Sequence, residues 1–108
     1  MAKITTVLEN FIGFDSGDRI SCDHDQNCCE YKYADFDNLD TEARNYDFDR
    51  TKMRFEACDY GFRFGDCSER MFFVPCYSEQ NGWYTFDIDV YFNGVKVLKG
   101  IQCRWTED

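Results

Sequence analysis

Along most of the chain, apolar and polar residues follow one another at the short period of extended strands, and little of it repeats at helical spacing. The run ITTVLENFIGF, residues 4–14, is dense in β-branched and aromatic side chains and stops at the turn cluster Asp15-Ser16-Gly17-Asp18. RISC follows as its partner strand, which predicts a first hairpin. CEYKYADF, residues 29–36, alternates polar with aromatic positions and predicts a half-exposed strand, whereas NLDTEARNY, residues 38–46, is the one stretch that reads as a helix, of one or two turns. TKMRFEACDYG and SERMFFVPCYS add two more strands, the second apolar enough to be buried on both faces.

The C-terminal pattern is the most specific. Asn93-Gly94 sits between YTFDIDVYF and VKVLKGIQCRW, and Asn-Gly in a two-residue loop supplies the positive φ angles of a type I′ hairpin turn. The register then sets Phe92 opposite Val95, Val90 opposite Val97 and Phe86 opposite Ile101, with Asp87, Asp89 and Tyr91 on the other face. Ile88 would face Lys99, a mismatch that a bulge at Gly100 repairs, since glycine inside a strand often marks one. The chain therefore reads as mainly β, α+β at most. Six or seven mostly antiparallel strands are expected in a small sandwich, roll or open barrel, with the short helix capping one end.

Composition narrows this to one domain, 1–108. Eleven Phe, seven Tyr and two Trp supply a large core, and a single proline with seven glycines leaves no stretch resembling a disordered linker. No segment approaches the ~20 apolar residues of a membrane span. MAKITTVLENF lacks the apolar region of a signal peptide, so a soluble, cytoplasmic protein is expected.

Charge is uneven. Residues 1–50 carry twelve Asp or Glu against five Lys or Arg, and residues 51–108 carry nine against seven, within a net charge of −9. Such a chain repels phosphate backbones and anionic headgroups and attracts a basic protein partner, so direct binding to nucleic acid or membrane is not expected. The acidic first half interleaves carboxylates with aromatic rings. Asp35, Asp37, Asp40, Glu42, Asp47 and Asp49 flank Phe36, Tyr46 and Phe48, an arrangement in which aromatic anchors exclude water while rim carboxylates steer a partner.

Seven cysteines, an odd number, argue against a closed disulfide framework; in a reducing compartment most would pack as small hydrophobes. Adjacent Cys28 and Cys29 point to opposite faces if extended. Together with Cys22 and His24 they form C-x-H-x3-C-C, whose thiolates and imidazole suit zinc. The spacing is too crowded for a structural zinc site, and no second short pair follows. No metal is therefore assigned, and zinc on Cys22, His24, Cys28 and Cys29, or a thiol-redox role, stands as the alternative. His24, Cys28 and Glu30 can be written as a nucleophile, base and orienting acid, yet there is no nucleophile elbow, phosphate-binding glycine loop or H-E-x-x-H, and no catalytic residue is assigned. DFDNLD lacks the glycine and distal glutamate of a calcium loop.

Two runs carry a family resemblance. HDQNCCEYKYADF, and far downstream SEQNGWY, are similar to an uncharacterised group of small bacterial and phage proteins with an H-x-Q-[DN]-C-C-E run after a hairpin and a late S-x-x-N-G-x-Y run. The matching residues are His24, Gln26, Asn27, Cys28, Cys29 and Glu30, then Ser78, Asn81, Gly82 and Tyr84; Lys32 and Pro75-Cys76 depart from the pattern. The resemblance implies an intracellular protein near mobile elements and brings no activity or ligand. If both runs sit at one end of a sandwich, Trp83 and Tyr84 can pack over His24 and Gln26. The sum is a non-enzymatic protein-binding module, in a narrower form an inhibitor whose acids imitate nucleic-acid charge; a structural phage component that self-associates is a further alternative.

Overall fold

The structure, a computed structural model, describes residues 2–23, 31–36, 39, 41–67, 69–79 and 87–106. It is mainly β, with ten strands among those residues: β1 (Ile4–Leu8), β2 (Phe11–Phe14), β3 (Arg19–Asp23), β4 (Tyr31–Ala34), β5 (Arg54–Cys58), β6 (Gly61–Cys67), β7 (Arg70–Glu79), β8 (Asp87–Phe92), β9 (Val95–Gln102) and β10 (Arg104–Thr106). The helix α1 (Thr41–Arg44) falls inside the expected stretch, and a 3-10 turn at Arg50–Lys52 follows it.

One five-stranded sheet has the order β1-β2-β3-β8-β9, all antiparallel. The second is built on β7, which pairs with β6 and through it with β5, and along its last residues with β4 and, in parallel, with β10. One buried cluster fills the space between the sheets, with Ile12, Ile20, Ile88, Val90 and Ile101 from the first and Phe62, Phe64, Phe72, Val74 and Cys76 from the second.

Strand number exceeds the expected six or seven because three apparent strands are each interrupted. ITTVLENFIGF folds back at Glu9-Asn10, where Asn10 takes φ 61° and Leu8 pairs with Phe11. TKMRFEACDYG turns at Asp59-Tyr60 into β6, a central strand the sequence reading did not separate, and VKVLKGIQCRW divides at Cys103 into β9 and β10. Each of the two turns bends on one left-handed residue and carries no glycine, so the usual punctuation is missing.

The Asn93-Gly94 hairpin stands as expected, with φ of 53° and 83° and Phe92 opposite Val95. Beyond it the register differs, because β9 carries two extra residues: Val90 faces Leu98, and Ile88, rather than Phe86, faces Ile101. The second irregularity is the expected bulge at Gly100, whose φ is 68° and whose N–H donates to Asp89 Oδ1 at 2.9 Å. β7 corrects another expectation. Phe72, Val74, Cys76 and Ser78 are buried, whereas Phe73 is 47% exposed and Pro75 and Tyr77 are half-buried, so only one face of its central and last residues meets the core.

Candidate functional site

The acidic and aromatic stretch separates on folding. Phe36 and Phe48, expected as surface anchors, are 1% and 0% exposed and belong to the core. The Phe48 ring lies 5.6 Å from Phe14, 5.6 Å from Phe64 and 5.7 Å from Phe72, while its backbone N–H and carbonyl both pair with Ala2. At Asp47-Phe48-Asp49 the alternation that resembled a mixed surface thus turns the ring inward and the carboxylates outward. Tyr46 is half-buried; its hydroxyl donates to Asp66 Oδ1 at 2.8 Å, which raises its pKa, and the Arg70 guanidinium sits over its ring.

The carboxylates of that stretch have local partners. Asp47 stands 3.8 Å from Lys3, and Glu42 3.5 Å from Arg70. Asp49 caps the 3-10 turn by accepting from the Thr51 hydroxyl and N–H, bonds that hold its carboxyl below the usual range. Asp35 is half-buried, its N–H donating to the Pro75 carbonyl. Asp37 and Asp40 lie outside the described residues, as do His24, Gln26, Cys28, Cys29, Glu30, Asn81, Gly82 and Tyr84.

The attachment points of the two motif runs are described, and they adjoin. The first run leaves β3 at Asp23 and enters β4 at Tyr31; the second leaves β7 at Glu79 and enters β8 at Asp87. Asp23 pairs with Asp89 and Tyr31 with Glu79, so both runs connect the same two sheets at the same end. Just inside this end, Asn10 ties the sheets together: its carbonyl accepts from the Cys22 N–H at 2.9 Å and its side chain from the Ala34 N–H at 2.6 Å.

Cys22, Cys76 and Cys103 are buried thiols. Burial pushes the Cys22 thiol up, and a hydrogen bond with Cys103 together with burial does the same to Cys76, so thiolate is disfavoured at both. Among the described residues no three or more His, Cys, Asp or Glu come together as a metal-ligand group. Cys58 is half-buried and Cys67 exposed.

Exposed aromatic surface lies elsewhere, on the outer face of the second sheet. Pairing across β10, β7 and β4 aligns Arg104, Tyr77 and Tyr33, with the two tyrosine rings 5.4 Å apart. Phe73 and Pro75 continue the row along β7, and Tyr60 projects from the β5–β6 turn, 44% exposed. Asp59, Tyr60, Phe73, Pro75, Tyr77 and Arg104 line a cleft of about 240 Å³. Gly61 lets the Phe73 ring lie close to the backbone of β6: a Cβ there would meet the Val74 carbonyl oxygen and come within 2.8 Å of that ring. The sequence reading missed this cleft because it took β7 as buried on both faces, and the unbroken apolar run from Met71 to Tyr77 holds no polar position to mark the outer one.

Among the described residues no helix is long and apolar enough to cross a membrane. Comparison with family models, with curated proteins and with solved structures gives no match.

Proposed function

We propose that this chain is a non-enzymatic, cytoplasmic protein-binding module that meets a basic partner through the aromatic outer face of its second sheet. The observation that carries this reading is the row of exposed Tyr60 and Phe73 and half-buried Pro75 and Tyr77 around one cleft, whereas most other phenylalanines among the described residues lie in the core or pack against it. Aromatic side chains at the centre of a patch supply most of an interface's energy, and a net charge of −9 speeds the approach of a basic body. Membership of the bacterial and phage group belongs to the same proposal and rests on the two motif runs. A narrower form, in which the acids imitate nucleic-acid phosphates, draws less support, because Lys3, Lys52 and Arg70 stand beside Asp47, Asp49 and Glu42.

The test is site-specific photo-crosslinking in cells that make the protein. A crosslinker at Phe73 is expected to trap one defined partner, and one at Thr5, exposed on the first sheet, is not. The trapped partner's affinity for the unmodified chain should fall as salt rises. Equal labelling from both positions, or salt-independent binding, overturns the reading.

A further inference from the structure

We infer that the cleft beside Tyr60 captures the C-terminal carboxylate of the partner, with the partner's last, apolar side chain set against Phe73 and Tyr77. This rests on the protein-binding reading above and specifies what enters the site.

Tyr60 has a left-handed backbone, φ 62°, at the tight β5–β6 turn. The corresponding corners of the β1–β2 and β8–β9 hairpins use Asn10 and Asn93, residues that reach this conformation with little strain. A bulky side chain is strained there, and such strain persists where the surrounding structure holds it, commonly at binding sites. The position does hold it, since the Tyr60 carbonyl accepts the Cys76 N–H at 3.0 Å. The result is a ring fixed at the mouth of the cleft.

On that ring lies the Arg104 guanidinium, 5.5 Å from its centroid. A guanidinium held over an aromatic face still presents its planar fork of donors, the shape that matches a carboxylate in two parallel hydrogen bonds. Arg104 has no ion-pair partner among the described residues, even though Asp59 lies in the same cleft. The guanidinium is assigned to a ligand anion, and Asp59 to the backbone N–H that precedes it. Chain ends are captured by such convergent polar groups. The cleft, about 240 Å³, is smaller than the roughly 300–1,000 Å³ of sites for drug-sized ligands. It has room for one large residue, and a chain terminus brings an apolar side chain and a carboxylate on the same residue. The outer face also suits an anion better than the rest of the molecule, since Arg54 and the Arg63–Glu56 pair lie on it.

The probe is the peptide acetyl-Lys-Lys-Gly-Leu-Phe with a free C-terminal carboxylate, compared with its amide by 15N chemical-shift titration of the whole chain. The acid is expected to shift the amides of Tyr60, Phe73 and Arg104 and to bind at least tenfold more tightly than the amide. Arg104→Lys, which keeps the charge and loses the fork, should weaken the acid about tenfold, and Arg104→Gln should equalise the two peptides. Tyr60→Asn should lose acid binding while the chain stays folded by its amide spectrum. Equal binding of acid and amide, or no binding of either, overturns the inference. In both cases a Phe73-specific crosslink keeps the protein-binding reading, and its absence removes that reading as well.

Discussion

Asn93 Nδ2 donates a 2.8 Å hydrogen bond to Asp18 Oδ1, joining two turns that lie 75 residues apart in the chain. The contact is one of several at this corner. Asn93 Oδ1 accepts from the Arg19 N–H at 2.8 Å, and Asp18 Oδ2 accepts from the Ser16 hydroxyl at 2.6 Å and lies 2.8 Å from Arg50 Nε. Asp18 is buried, so the donors to its carboxylate cannot be replaced freely by water. Asp18→Ala is expected to cost about 2 kcal/mol, the loss of several bonds to one charged group. A double-mutant cycle with Asn93→Ala should return a coupling of about 1 kcal/mol, measured by urea denaturation. Strict additivity would mean that the two turns are joined by backbone alone.

The same corner sets the acid response. Hydrogen bonding from Ser16, then from Asn93 and with Arg50, holds the Asp18 carboxyl below its ordinary 3.8, and the Gly100 N–H does so for Asp89. A carboxylate whose folded pKa is depressed contributes stability that is complete above the unfolded value and is lost as pH falls through the folded one. Stability should therefore be level from neutral pH to just above 4 and then decline. Asp18→Asn removes one titrating group from that window, so its stability curve should be flatter below pH 4. An unchanged acid limb in the variant refutes the assignment.

The Asn93-Gly94 hairpin and the Gly100 bulge were legible because each depends on a residue whose backbone freedom is written in its identity. The β5–β6 turn was not, since Tyr60 in a left-handed conformation contradicts its own propensity and is enforced by distant pairing, of Cys58 with Gly61 and of the Cys76 N–H with the Tyr60 carbonyl. Phe36 and Phe48 were misplaced for a related reason. Short polar neighbours gave them the pattern of an exposed face, but burial was decided by β6 and β7, more than ten residues further on. The cleft on the outer face needs Tyr60, Tyr77 and Arg104 from three separate segments, and no local pattern joins them.

Substitutions along residues 42–49 separate core from surface directly. Phe48→Ala empties the centre of a ring cluster and is expected to cost about 3–5 kcal/mol. Glu42→Gln and Asp47→Asn remove exposed ion pairs and should each change stability by less than about 1 kcal/mol. Thermal melting distinguishes them, because a 1 kcal/mol change moves Tm by roughly 4–8 °C in a domain of up to about 100 residues. A mild Phe48→Ala would place that ring outside the core.

At the Gly100 bulge, the Asp89 carboxylate does two things: it accepts the Gly100 N–H at 2.9 Å and stands 3.2 Å from Lys96 Nζ. Gly100→Ala forces a Cβ onto a φ of 68° and should cost about 1–2 kcal/mol. Asp89→Ala leaves that N–H without its acceptor and should cost about 1 kcal/mol. If the bulge fixes register, hydrogen exchange in either variant will rise along Leu98–Gln102 and not in β1 or β2. Uniform exchange across the first sheet would show that the bulge only relieves a local mismatch.

Thiol chemistry should follow burial. Cys67 is exposed, and its thiol meets a reagent without any opening of the fold. Cys22, Cys76 and Cys103 are enclosed by the core, with Cys103 Sγ 3.8 Å from the Ile101 carbonyl, and the raised pKa of Cys22 and Cys76 lowers the thiolate fraction that reacts. Peptide mapping after brief alkylation at pH 8 should find Cys67 fully modified, Cys58 partly and the buried three unmodified. Their labelling should rise with urea along the unfolding curve, because opening limits access. Rapid native labelling of Cys22 would show instead that the end of β3 opens, and would return that thiol to consideration as a ligand beside His24.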